Sequence, residues 1–256
     1  MPRTVACFAG IVLFSVSGFA QQSQPLRSSD PGASQARKSD PPLSEMVAPA
    51  PQLPEHAVSV ARLRVPREAQ GFYEKARKAF RKNRYAEAEH RLGQALQAYP
   101  AFPEALTMLG YIQLSLDEWE PAEQSLRAAV RTDPNFGLAH IVLAFLYNTE
   151  HRFDDAAASA RRAGELAPDS WVVQFEMTRA LLGKGQYDSA LSVSDAALHK
   201  NRGTLLHVVK AQALMGLKRF REASTELQTY LQYQPAGELA QHAHDLLKEI
   251  QSASPQ

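Results

Sequence analysis

Cysteine is nearly missing from this chain. Cys7 is the only one in 256 residues, so neither a disulfide framework nor a cysteine-based zinc site can be built within it. A surplus charge of one sign is missing too: 28 Lys and Arg stand against 27 Asp and Glu, which leaves no net field to recruit nucleic acid or anionic lipid. Long apolar runs are confined to residues 5–20, a stretch short for a bilayer span and carrying two Ser and two Gly. Catalytic signatures are also lacking. The eight histidines contain no His-Glu-x-x-His. Their nearest grouping, His242-x-His244-Asp245, puts two imidazoles on different faces of a helix and reads as solvated. Gly183-Lys184-Gly185 has neither the preceding strand nor the following Ser or Thr of a phosphate loop and reads as a turn. No motif assembles Ser, His and Asp into a triad. The sequence points away from an enzyme and implies no cofactor and no metal.

What is present begins with a leader. Residues 1–20, MPRTVACFAGIVLFSVSGFA, carry one Arg, an apolar run and the small-residue end Ser17-Gly18-Phe19-Ala20, which predicts a signal peptide cleaved after Ala20 and export to the periplasm or beyond. Cys7 precedes most of the apolar run and does not form a lipidation site, so the exported chain would hold no thiol and no stable membrane span. Residues 21–56 hold seven prolines with many Ser, Gln and Ala, too little apolar surface to offset ordering entropy, and read as a disordered linker. Residues 57–68 form an extended lead-in: AVSVARLRV has no helical spacing, and Pro66 suits the first position of a helix running to about Lys82. The lead-in has two candidate places, over the exposed end of the first helical unit or against the inner face of the early units.

From there a unit recurs. An aromatic closes each turn at Tyr85, Trp119, Phe153, Tyr187 and Phe220, and an alanine follows three residues later at Ala88, Ala122, Ala156, Ala190 and Ala223. A second column holds Ala95, Ala129, Ala163 and Ala197 before Tyr230 breaks it, and prolines close units at Pro100, Pro134, Pro168 and Pro235. The aromatics step by 34 residues three times and by 33 once, so one residue is missing near Arg202-Gly203. Each unit reads as two helices: Leu106, Leu109, Gly110 and Leu114 fall at helical spacing, as do Ala122, Leu126, Ala129 and Val130. Asp117-Glu118 and Asp154-Asp155 are expected to cap the second helices. No single hairpin buries its own apolar face, so the units must stack.

This pattern resembles the tetratricopeptide repeat family, whose unit is a 34-residue helix–turn–helix. The resemblance implies an all-α fold, an α-solenoid of five repeats at 69–102, 103–136, 137–170, 171–203 and 204–237, followed by a capping helix at 238–251. Lys75 stands where later repeats have Leu109, Leu143 and Met177, as suits an N-terminal end repeat. That repeat carries seven Lys or Arg against three Glu, and the next has two Arg against six acids, which is read as complementary charge across the stacked pair. In such stacks the first helices line a concave groove. The resemblance then implies a peptide-binding set of Tyr73, Arg77, Met108, Tyr111, Ile141, Phe145, Asn148, Phe175 and Arg179. The family's carboxylate clamp is absent, since Tyr73 and Arg77, then Leu138 and Val142, occupy its positions. The implied function is a noncatalytic interaction module or scaffold that binds a protein or peptide partner in the groove. The alternative is a self-associating structural protein whose groove holds its own N-terminal segment or a second copy, as a homo-oligomer.

Overall fold

Five consecutive turns share one backbone device. Asn83, Asp117, His151, Gly185 and Lys218 adopt the left-handed conformation, with φ of 56°, 62°, 61°, 70° and 59°. The N–H of each following residue returns to a carbonyl five residues back: Arg84 to Ala79, Glu118 to Gln113, Arg152 to Tyr147, Gln186 to Leu181 and Arg219 to Leu214, at 2.8–3.0 Å. This closure satisfies the carbonyls that a helix end otherwise leaves open and reverses the chain. Asp117 therefore terminates a first helix instead of capping a second one. The cap expectation also fails elsewhere: Glu118 and Arg152 precede the second helices without side-chain cap bonds. Asp154 and Asp155 lie within the first turn, where they still meet the positive end of the helix dipole.

The computed structural model describes residues 65–200, 203–236 and 239–253. The leader 1–20, the linker 21–56 and residues 57–64 of the lead-in lie outside them. The described residues form helices only. They are α1 Arg67–Phe80, α2 Tyr85–Ala98, α3 Pro103–Ser115, α4 Trp119–Thr132, α5 Gly137–Thr149, α6 Phe153–Leu166, α7 Trp171–Gly183, α8 Tyr187–Lys200, α9 Leu205–Gly216, α10 Phe220–Tyr233 and α11 Ala240–Ala253. They pair as five antiparallel hairpins with α11 closing the stack. The second helices α2, α4, α6, α8 and α10 all have 14 residues, whereas α9, at 12, is the shortest first helix. The missing residue of the fourth repeat is absorbed in α9, one residue shorter than α3, α5 and α7.

Small side chains set the helix spacing. Ala88, Ala122, Ala156, Ala190 and Ala223 have no exposed surface, and neither do Ala95, Ala129 and Ala163. A Cβ added at Gly110 would lie 2.7 Å from Leu126 Cγ and 3.1 Å from the Ala122 carbonyl, so α3 and α4 meet at backbone distance. The turn aromatics reach across repeats: a Cβ at Gly183 would overlap the Phe153 ring, and one at Gly216 the Tyr187 ring. Tyr230 breaks the alanine column for a reason. It is buried, and its hydroxyl accepts the Leu239 N–H at 3.1 Å, tying the last hairpin to the entry of α11. That helix buries Ala243, Leu246 and Ile250 against α9 and α10 and exposes Gln241, His244, Asp245 and Lys248. At the other end Val65 is buried among Ala69, Ala76 and Phe102, and its carbonyl accepts a bond from the Gln70 side chain at 3.0 Å.

Candidate functional site

First helices touch one another as well as their hairpin partners: α3 packs on α5, α5 on α7, and α7 on α9, while second helices make no comparable mutual contact. Elements that crowd together lie on the inner side of a curved stack, so the first helices line the concave face. The cost is that α5 is enclosed nearly all round, with Val142, Leu143, Phe145, Leu146, Tyr147 and Asn148 buried.

The nine expected groove residues separate into two groups. Tyr73, Met108, Tyr111 and Ile141 are half-buried and Arg77 is exposed. Tyr73 lies 5.0 Å from the Phe102 ring, and Tyr111 stands edge-on to Phe80 at 5.5 Å. The Arg77 guanidinium lies 6.0 Å over the Tyr73 ring and pairs with Glu74 at 2.9 Å. These five keep solvent exposure on the first helices α1, α3 and α5. The other four close on themselves between α5 and α7. Asn148 Nδ2 donates to the Glu176 carbonyl at 2.9 Å and to Glu176 Oε2 at 2.8 Å, and Arg179 donates to the same oxygen at 2.8 Å. The Arg179 guanidinium also lies 5.9 Å from both the Phe145 and Phe175 rings. Side-chain exposure is only 10% for Arg179 and 5% for Glu176, so removing either partner would strand a buried charge at about 3–5 kcal/mol. Phe145, Phe175, Asn148 and Arg179 are therefore committed to packing repeats three and four together. Glu176 was not foreseen; its only sequence signal is a carboxylate in the column that holds Met108 and Val142.

Two further charged clusters staple neighbouring repeats. Glu123 on α4 accepts from Tyr147 at 3.0 Å and from Arg152 at 2.9 Å. Burial would raise the Glu123 pKa, but the bonds from Arg152 and Tyr147 outweigh it and hold the carboxyl below its ordinary value. Tyr147 is pushed up to about 12 by burial and then by the bond to Glu123. Between the last two repeats, Lys210 bridges Asp195 at 2.7 Å and Glu226 at 2.6 Å, while His207 meets Glu226 at 2.6 Å. Burial of Glu226 is again outweighed, by His207 and Lys210. In both clusters a carboxylate and a cation of neighbouring repeats are paired, which suits fastening. His242 departs from the solvated reading: it is half-buried, its Nε2 lies 3.2 Å from Gln212 Nε2, and burial lowers its pKa to about 4. Among the described residues no group of three or more His, Cys, Asp or Glu could hold a metal ion, and no helix is long and apolar enough to cross a membrane.

A profile of the family described as Tetratricopeptide repeat matches residues 79–144. No curated protein sequence matches the chain. Among solved structures, the thermophilic TPR protein TTC0263 of Thermus thermophilus is 19% identical, covering 71% of this chain and 98% of that one at a TM-score of 0.58. MamA of Desulfovibrio magneticus is 13% identical, covering 67% and 98% at 0.60. YrrB, a TPR protein with an unusual peptide-binding site, is 19% identical, covering 69% and 92% at 0.56. At such identities the likeness is one of fold, and that fold agrees with the matched profile and with the repeat register carried through five hairpins. The chain thus has the tetratricopeptide repeat fold, with that family's profile matched at residues 79–144, and this fold is in general that of a protein–protein interaction module.

Proposed function

We propose that the inner face of the first three repeats binds a peptide segment of a partner protein, and that the protein acts by binding and not by catalysis. The observation that carries this is that Tyr73, Met108, Tyr111 and Ile141, apolar or aromatic side chains of the first helices α1, α3 and α5, stay half-exposed. Leu116 and Tyr233, the exposed large apolar side chains among the described residues, are not among these four. Adjacent first helices lie about 8–10 Å apart, so an extended segment rising about 3.3 Å per residue would present a side chain to each helix every three residues. Arg77 at the edge supplies a polar contact. The peptide-binding site of the fold relative YrrB adds support by analogy.

Selection of displayed 12-residue peptides on the full chain tests the reading. Selected peptides should be apolar at spaced positions and should lose about tenfold or more in affinity to Tyr111→Glu or Ile141→Glu, while Ala86→Glu, on an exposed outer position, leaves binding unchanged. Peptides that bind all variants equally would sink it. We further infer export with cleavage after Ala20. An intact mass beginning at Gln21 in native protein supports this, and a full-length mass in the membrane fraction overturns it.

A further inference from the structure

The first hairpin carries a second surface, separate from the groove. Lys75, Lys78 and Lys82 occupy one stripe of α1 at i, i+3 and i+7. Together with Arg84 and Arg91 they line a concavity of about 160 Å³ with Ala79 at its floor. Glu87 is the one carboxylate in its wall, and Arg84 lies 3.5 Å from it. The Lys75 ammonium lies 5.5 Å over the Phe72 ring, and Arg91 donates to Gln94 at 3.0 Å. Among the described residues, Lys75, Lys78, Lys82 and Arg91 have no carboxylate within ion-pair distance. Later in the stack the cations that span repeats are paired: Arg152, Lys184 and Lys210 each have a carboxylate of a neighbouring repeat within 4 Å. The first repeat, with seven Lys or Arg against three Glu, is the most cationic of the five. The expectation of charge matched across the first two repeats does not account for it, because the partners shown for Arg77 and Arg84 are Glu74 and Glu87 of the same hairpin.

The place is the N-terminal end of the stack. In later repeats the Lys75 column packs onto the preceding hairpin, as Leu109 does against the Ala88 and Leu92 cluster and Leu143 against Ala122 and Leu126. A lysine there turns an apolar docking position into a charged one and bars another repeat of the same kind. We propose that this concavity docks an acidic protein segment, a short run of Asp and Glu on a partner. Seven residues of helix place Lys75 and Lys82 about 10 Å apart, too far for one phosphate or one carboxylate but matched to three or four extended residues at about 3.3 Å each. Ammonium groups serve such a run as flexible point charges without the fixed fork of a guanidinium. Leu116 and Tyr233, the exposed large apolar side chains of the described residues, lie outside this hairpin, so the patch offers nothing to insert into a lipid surface.

The test uses the full chain and a fluorescently labelled deca-glutamate peptide, read by anisotropy at low salt. Binding should weaken about tenfold in Lys75→Gln/Lys78→Gln/Lys82→Gln and by less than about twofold in Lys200→Gln/Lys218→Gln/Arg221→Gln, which removes as many cations at the far end. It should also fall steeply with added salt. Matching circular dichroism melts exclude a folding defect, since all six positions are exposed. Equal affinity in both triple variants, or no binding at all, overturns the proposal. So does displacement by millimolar inorganic phosphate, or sedimentation with phosphatidylglycerol vesicles in place of peptide binding. Concentration-dependent dimerisation that the Lys75→Gln/Lys78→Gln/Lys82→Gln variant abolishes would identify a second copy as the occupant and equally overturn it.

Discussion

One chemical change, Gly→Ala, should act with opposite signs at two places in this stack. Gly71 is exposed inside α1, and a Cβ there would meet nothing within 4 Å. Alanine at that position gains helix propensity and loses backbone freedom in the unfolded chain, a stabilisation of about 0.5–1 kcal/mol. Gly93 in α2 is equally open and should respond alike. Gly183 is the last residue of α7, and a Cβ there would overlap the Phe153 ring that starts α6. Overpacking costs about 1–3 kcal/mol, and a helix terminus returns less propensity than an interior position, so the net loss should be about 1–2 kcal/mol. For a helical block of this size each kcal/mol shifts Tm by about 2–4 °C. Thermal melts by circular dichroism should therefore show Gly71→Ala rising by a few degrees and Gly183→Ala falling by a few. A rise at Gly183 equal to that at Gly71 would refute the packing of turn aromatics across repeats.

The remaining expectations follow from single residues. Ala156→Leu should lower stability by about 1–3 kcal/mol in urea unfolding, because Ala156 has no exposed surface. Exposed Ala86→Leu should stay within about 0.5 kcal/mol, and equal losses would contradict the repeat register. Burial holds His242 neutral, with a folded pKa of about 4 against 6.5 when free. Between those values the unfolded chain binds more protons, so stability is full above about pH 6.5 and declines as pH falls towards 4. His242→Gln should flatten that decline in urea midpoints measured across the range, and an unchanged slope would refute the assignment. Lys218 holds φ at 59°, so Lys218→Gly should raise stability by up to about 1 kcal/mol as the left-handed strain is relieved; a clear loss would count against that turn geometry.

The stack was legible because aromatic, alanine and proline recur in register and one hairpin cannot bury its own apolar face. The left-handed column was not, since Asn83, Asp117, His151, Gly185 and Lys218 share a backbone conformation and no side-chain chemistry. The groove was legible only as a set of candidate positions. Core and groove draw on the same helices, so periodicity does not reveal that Phe145 and Phe175 are consumed by packing while Tyr111 and Ile141 stay half-open. Arg179 reads as a groove residue and Glu176 carries no reading at all; their desolvation arises from α5 closing over α7, a contact between residues 28 apart such as Asn148 and Glu176. His242 reads as solvated for a related reason, because Gln212, which meets it, lies 30 residues earlier.

Site-specific photo-crosslinking in the native cell tests the groove reading most directly. A photoreactive residue replacing Tyr111 should capture a discrete heterologous protein through one short segment of its chain, and Ile141→Glu should abolish the adduct. The same probe at Ala86 should capture nothing defined. Adducts only with a second copy or with the chain's own N-terminal segment, or an equal yield from Ala86, would contradict the account.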